Sequence, residues 1–252
     1  MTATTTETWS VNGTVLNTLA YNFGGLGGRL DGVVLRGKNA QVPYGADTFR
    51  SHWYGPRQEQ WDMWISDRDP STDAVGGRAQ ANTNLDAIKA LFQGNPNQTL
   101  AVARVVSTTA GLATRTCDAI CTGFKVRPNQ GGAFFRVTVD VEIPSGLWLG
   151  SAGTQTISAL TTVTVGGTAL VTPDLLTITG NVTVSNSTTN TGFTYTGTGC
   201  VFHPKTWTTD TATDISNFSP ASLQPLLLAA GDNSIDVTGG GSIQIDWTEG
   251  YL

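Results

Sequence analysis

Residues 134–143 read FFRVTVDVEI. Side chains of an extended chain alternate between two faces. Phe135, Val137, Val139, Val141 and Ile143 therefore share one face, and Arg136, Thr138, Asp140 and Glu142 share the other. A strand that is apolar on one side only suits an antiparallel sheet with one face on a core. The same habit recurs on both sides of this run. Upstream, QWDMWISD (60–67) puts Trp61, Met63 and Ile65 against Asp62, Trp64 and Ser66. Downstream, TTVTV (161–165), LLTITGNVTVS (175–185) and GFTYTG (192–197) are short strands broken by Gly, Asn and Pro. NSIDVTGGGSIQIDW (233–247) predicts a hairpin, with Ile235 and Val237 opposite Ile243, Ile245 and Trp247 across Gly239–Gly241.

The first half is more mixed. TWSVNGTVLN carries Asn12-Gly13 between two alternating arms, and that dipeptide accepts the positive φ of a tight hairpin. FGGLGG at 23–28 breaks regularity, and VVLRGKNAQVP (33–43) reads as a strand stopped by Pro43. Residues 44–56 lack a clean period and read as an exposed loop or arm. After the turn DRDPSTD, Ala81, Leu85, Ile88 and Phe92 recur at helical spacing and Gly94 and Pro96 supply the stop, so a helix is predicted over 78–93. TLAVARVVS (99–107) and the stretch Gly123–Val126 return as strands. The fold class is mainly β: a β-rich N-terminal domain with one helix over 1–127, then an antiparallel β-sandwich or barrel over 128–252.

Composition narrows the function. Charged residues make up 13% of the 252 residues and the net charge is −5, with no local run of Lys or Arg, which argues against a nucleic-acid binder. Met1–Thr8 lacks the charged start and apolar core of a secretory signal, and no run reaches the ~20 apolar residues of a membrane span, so a soluble, cytoplasmically made chain is expected. Cys117, Cys121 and Cys200 are an odd count and read as free core thiols; CDAIC is not the CxxC spacing of a zinc site, and His52 and His203 sit in unrelated contexts. The sequons at Asn12, Asn97, Asn181, Asn186 and Asn217 follow from Ser/Thr-rich composition.

Few residues suggest chemistry. Glu142, Asp246 and Glu249 are the strand-borne carboxylates that a glycosidase could pair, yet acids on a solvated strand face need no such role. No GxSxG elbow surrounds a serine, neither FGGLGGRL nor VTGGGS continues into a phosphate loop, and Asp67-Arg68-Asp69 reads as turn chemistry before the helix. Trp53, Tyr54, Trp61, Trp64, Trp148, Trp207 and Trp247 could include a sugar-stacking platform, but packing or an interface is the ordinary use of such rings. No catalytic, cofactor-binding or metal site is assigned.

The order of motifs carries more than any one of them. RGKNAQVP (36–43) is followed by QWDMWISDRDP (60–70), NLDAIKALF (84–92), a Val-rich strand and FFRVTVDVEIPSGLWLG (134–150). CVFHPKTW (200–207) and LLLAAGDNSIDVTGGGSIQIDWTEGYL (226–252) close the series. This succession resembles the distal tail proteins of siphophages, particularly those infecting actinobacteria. IPSGLWLG lacks a second Pro that the family often has before the aromatic, and AAGDN stands where PGDN or PGSN is common. The resemblance implies a structural virion protein and not an enzyme. It implies a hexameric ring at the tail tip, whose N-terminal domain forms a belt and whose galectin-like C-terminal domain hangs outside. Implied partners are the major tail-tube protein, the tail hub and the tape-measure protein, and an acidic chain would not trap the DNA passing through such a ring. The alternative expectation is a carbohydrate-binding β-sandwich module contacting host-wall glycans.

Overall fold

The structure is a computed structural model that describes residues 8–16, 18, 20–26, 35–40, 48–94, 98–108, 111–128, 134–219 and 226–252, with backbone alone for 22–26, 35–40, 48–54, 107, 128 and 212–214. In chain order the elements are β1 (Thr8–Val11), β2 (Thr14–Val15), β3 (Tyr21–Leu26), β4 (Leu35–Ala40), β5 (Thr48–Tyr54), β6 (Arg57–Ile65) and the helix α1 (Gly77–Gln93). Then come β7 (Leu100–Thr108), β8 (Gly111–Pro128), β9 (Phe135–Ile143), β10 (Trp148–Ile157), β11 (Thr161–Val165) and β12 (Leu175–Thr179). The chain ends with β13 (Val182–Asn186), β14 (Thr191–Tyr195), β15 (Gly199–His203), β16 (Thr208–Thr209), a 3-10 turn (Ala212–Asn217), β17 (Gly231–Thr238) and β18 (Ser242–Tyr251). The protein is mainly β, as the alternation predicts. Two compact units share the chain: Met1–Val34 with Tyr54–Leu147, and Leu35–Trp53 with Trp148–Leu252.

In the first unit the strands pair antiparallel in the order β2-β1-β7-β8-β9-β6-β3. Asn12 and Gly13 take φ of 48° and 80°, so the tight turn between β1 and β2 is the one the dipeptide predicts. The strand expected near Gly123–Val126 is part of a much longer one: β8 runs for 18 residues. Its first half, GLATRTCDA, mixes small, polar and charged residues without alternation and so gave no strand signal. Trp61, Met63 and Ile65 of β6 and Val137, Val139, Val141 and Ile143 of β9 are fully buried. Trp9 of β1 meets Trp61 edge to face, with centroids 5.4 Å apart.

Helix α1 buries Ala81, Leu85, Ile88 and Phe92 as its spacing predicts, and Phe92 approaches Phe124 of β8 at 6.3 Å. Asn84 is buried too, between two apolar positions. Its amide donates to the carbonyls of Ser66 at 2.9 Å and Arg68 at 2.7 Å, which pins the helix to the end of β6. Such a residue reads as solvent-facing in a sequence, because its burial depends on backbone acceptors elsewhere.

β9 belongs to this first unit, pairing with both β6 and β8. The division of the structure therefore falls after Leu147, and the expected boundary at 127/128 cuts through the sheet. The expected loop or arm at 44–56 differs as well, since Thr48–Tyr54 forms β5 and pairs with β4. The run TFRSHWY ends on adjacent aromatics, which destroys alternation without destroying strand propensity. Residues 41–47 lie outside the described residues.

Besides the β4-β5 pair, the second unit holds two antiparallel sheets, β16-β15-β12-β18-β10 and β11-β17-β13-β14. One continuous core lies between them: Leu176, Ile178, Phe202, Ile243 and Ile245 from the first, Val163, Val184, Phe193, Ile235 and Val237 from the second. The expected hairpin at 233–247 is not formed. β17 pairs with β11 and β13, whereas β18 pairs with β10 and β12, so Gly239–Gly241 carries the chain from one sheet to the other. Gly239 and Gly240 take φ of 101° and 86°, and a Cβ on Gly241 would stand 2.2 Å from the carbonyl of Thr179. The Gly180-Asn181 corner between β12 and β13 is of the same kind.

Replacing Leu85 or Ile88 by Ala should cost about 2–5 kcal/mol, since each leaves a cavity under α1; an unchanged urea midpoint for both would show the helix is not packed this way. Every member of the second core lies within 148–252. A fragment of those residues is therefore expected to unfold cooperatively when heated alone, as followed by near-ultraviolet circular dichroism.

Candidate functional site

The carboxylates singled out by sequence do not converge. Glu142 belongs to the first unit, where Gln58 Nε2 donates to it at 2.7 Å. Asp246 and Glu249 both lie on β18, three residues apart, which puts them on opposite faces. Asp246 accepts from Thr154 Oγ1 and from Gln244 Nε2, the latter at 3.1 Å, while Glu249 accepts from Tyr251 Oη at 2.8 Å. Asp69 is a turn residue: its carboxylate accepts from Ser71 N (2.8 Å), Ser71 Oγ (2.6 Å) and Thr72 N (2.9 Å). Those hydrogen bonds pull its pKa down to about 2. Asp67 and Arg68 flank this turn, and Arg68 pairs with Asp73 at 3.1 Å.

None of the three cysteines is in a disulfide; Cys117 and Cys200 are buried and Cys121 is half-buried. Burial pushes the thiols of Cys117 and Cys121 up, away from nucleophilic chemistry. His203 pairs with Asp210 at 2.9 Å on an exposed turn; the side chain of His52 lies outside the described residues. Among the described residues no three His, Cys, Asp or Glu side chains are grouped to hold a metal ion, and no helix is long and apolar enough to cross a membrane.

The tryptophans divide by burial. Trp9, Trp61, Trp148 and Trp247 are in the cores, and Trp207 packs on Phe202 with centroids 5.3 Å apart. Trp64 is the exception at 44% exposed, and Arg136 lies 5.9 Å from its ring centroid. The side chains of Trp53 and Tyr54 lie outside the described residues.

Trp64 stands on the most organised surface of the first unit, the outward face of β6, β9 and the second half of β8. Cross-strand pairs form a ladder there: Gln58 with Glu142 and Gln60 with Asp140, both at 2.7 Å. Lys125 reaches Asp140 at 3.0 Å, and Asp62 takes Arg136 at 2.6 Å and Thr138 Oγ1 at 2.7 Å. Burial works to raise the Asp62 carboxyl, but hydrogen bonds from Thr138 and Arg136 and the charges of Arg136 and Arg127 outweigh it and hold the pKa below the usual range. Gln60 and Lys125 do the same for Asp140. Such an arrangement ties three strands together and leaves few unpaired charges.

These features define a class: a bent antiparallel sheet with one helix, followed by an antiparallel sandwich. The same fold occurs in the Dit protein of phage SPP1, whose structure is described as a paradigm of the hub adsorption apparatus in phages infecting Gram-positive hosts. The TM-score is 0.59 at 12% identity, covering 96% of this chain and 99% of that one. Chains of the phage P2 baseplate in its activated conformation overlap more loosely, with TM-scores of 0.37 (calcium form, 8% identity) and 0.36 (strontium form, 9%), each covering 96% of this chain and 98% of the other. No family model and no curated protein matches the sequence. The distal-tail resemblance seen in the motif order is thus met at the level of fold.

Because the pKa of Asp140 is lowered on folding, its contribution to stability is present above the ordinary carboxylate pKa of about 4 and is lost as pH falls through the folded value. The stability gap between the unaltered protein and Asp140→Asn should close as urea titrations move from neutral to strongly acid solution. A gap independent of pH would mean the ladder does not hold Asp140 ionised.

Proposed function

We propose that this chain is a structural protein of the virus particle, forming a ring at the distal end of a long non-contractile phage tail. The observation that supports this most is the extent of the fold likeness: both units are included, with 96% of this chain matched to 99% of the Dit chain. A module borrowed for another purpose would share one unit and not the pair.

In this reading the first unit builds a hexameric belt that continues the tail tube. The neighbours are the major tail-tube protein above and the tail hub below, with the tape-measure protein and DNA passing through the opening. Assembly takes place in the host cytoplasm. The polypeptide acts through surfaces. That suits a molecule in which Glu142, Asp140 and Asp246 are held by amides, hydroxyls or cations, and whose described tryptophans, Trp64 aside, are packed inward.

Identical subunits close a ring only through a heterologous interface with the right rotation. Reconstruction of the tail tip is expected to show six copies of this chain in one closed ring. Three-fold or helical stacking of the chain, or its absence from the particle, would overturn the assignment.

A further inference from the structure

The ladder on β6, β9 and β8 is balanced along most of its length and unbalanced at one end. Residues 64, 136 and 127 are cross-strand neighbours, since Trp64 pairs with Arg136 and Arg136 with Arg127. Phe134, two residues before Arg136, emerges on the same face because Phe135 between them is buried. Trp64 and Phe134 are each 44% exposed, and the Arg136 side chain is equally open. Two arginines are direct register partners here, a pairing of like charges that destabilises a sheet unless negative charge lies nearby. Asp62 is the carboxylate at this end. It pairs with Arg136 and also accepts from Thr138, while the charge of Arg127 reaches it through space without an ion pair.

We propose that Trp64, Phe134, Arg127 and Arg136 form a docking spot for an acidic peptide segment of another protein that also carries apolar side chains. The occupant follows from complementarity. A carboxylate would relieve the Arg127–Arg136 opposition, and a Leu- or Phe-like side chain would cover the two exposed rings. Exposed Trp and Arg side by side are the residue types that dominate protein–protein contacts. Nucleic acid fits less well, because affinity for phosphates grows with the number of cations engaged and this spot offers two in a chain of net charge −5. A sugar would require an open ring face, and the described face of Trp64 is shared with Arg136.

The test uses the full chain and a fluorescein-labelled peptide of alternating Glu and Leu, read by fluorescence anisotropy. Controls are the matching Gln/Leu peptide and a labelled duplex oligonucleotide. Binding of the Glu/Leu peptide is expected to weaken at least about tenfold in Trp64→Ala and in Arg127→Glu, as for a hot-spot residue. Lys125→Glu, on the same face outside the spot, should change it far less. Arg127 and Trp64 hold no ion pair of the ladder, and Arg127→Glu replaces an opposition of like charges by one of unlike charges, so both variants should remain folded, checked first by thermal melting. No binding of the Glu/Leu peptide, equal binding of the Gln/Leu peptide, or unchanged affinity in the two variants overturns the proposal. So does oligonucleotide binding that the same two substitutions abolish. Six-fold rings in the particle together with any of these results would leave the tail-ring reading standing and remove the docking spot alone.

Discussion

One strand holds the first unit together. β8 is hydrogen-bonded to β7 from Gly111 to Ala119 and to β9 from Ile120 to Pro128, so it joins two half-sheets that would otherwise be separate. The change of partner coincides with a break in register between Cys121 and Gly123. A bulge of this kind bends a strand and increases its twist, which lets one continuous ladder fold back so that Trp9 on one half meets Trp61 on the other. Gly123 matters at that point, since a Cβ there would lie 2.6 Å from the Asp140 carboxylate that Lys125 and Gln60 hold. The bend and the ladder on the outer face are therefore linked through one residue.

The inner face of β6 shows how far the unit depends on packing to hold polar groups. Arg57, Glu59, Trp61, Met63 and Ile65 are all buried along it. Glu59 accepts from Trp61 Nε1 at 2.9 Å and pairs with Arg57 Nε at 2.9 Å, with side-chain exposures of 0% and 7%. Burying both charges costs several kcal/mol per ion, and a pair of this kind rarely returns a net gain over apolar side chains. Within this face the pair is held by its own strand, Glu59 taking both the Arg57 guanidinium and the Trp61 indole N–H. The second unit solves a similar problem with neutral groups. The amide of Asn186 donates to Leu227 O and to Asn233 Oδ1, and Asn233 in turn holds Ala229 from both sides. This fastens the segment before β17 to two strands of the sandwich without any charge.

What the sequence made legible was which face of a strand is buried. Wherever apolar and polar residues alternate, as in β6, β9, β17 and the helix spacing of α1, the apolar set that the pattern names is buried, with Thr138 of β9 and Asn84 of α1 buried beside it. Partnership between strands was less legible. In 233–247 the alternation is correct on both arms, and Ile235, Val237, Ile243 and Ile245 do share a core, yet they reach it from facing sheets. Periodicity records which side faces the core and is blind to whether a Gly-rich joint returns a strand to its own sheet or delivers it to the opposite one. β10 was missed for a different reason. Its Gly153 lies under the Trp247 ring, where a Cβ would come within 2.4 Å, and Gly150 lies under Tyr251, so the glycines that erase its alternation are required by aromatics on β18.

The candidate surface was legible only as a list of residue types. Arg136, Asp140 and Glu142 were on the polar face of 134–143, and Asp62 and Trp64 on that of 60–67, but nothing in either run says that the two faces abut. Antiparallel pairing from Arg57 opposite Ile143 to Ile65 opposite Phe135 supplies that fact, and it turns five solvent-facing side chains into a ladder. Registers fix such pairings strongly, because a slip of β6 by one residue would send Trp61 to solvent and Asp62 into the core. The burial of the inner face thus determines the arrangement of the outer one. A protein that works by surface contact can therefore keep its contacting residues aligned without binding anything to hold them.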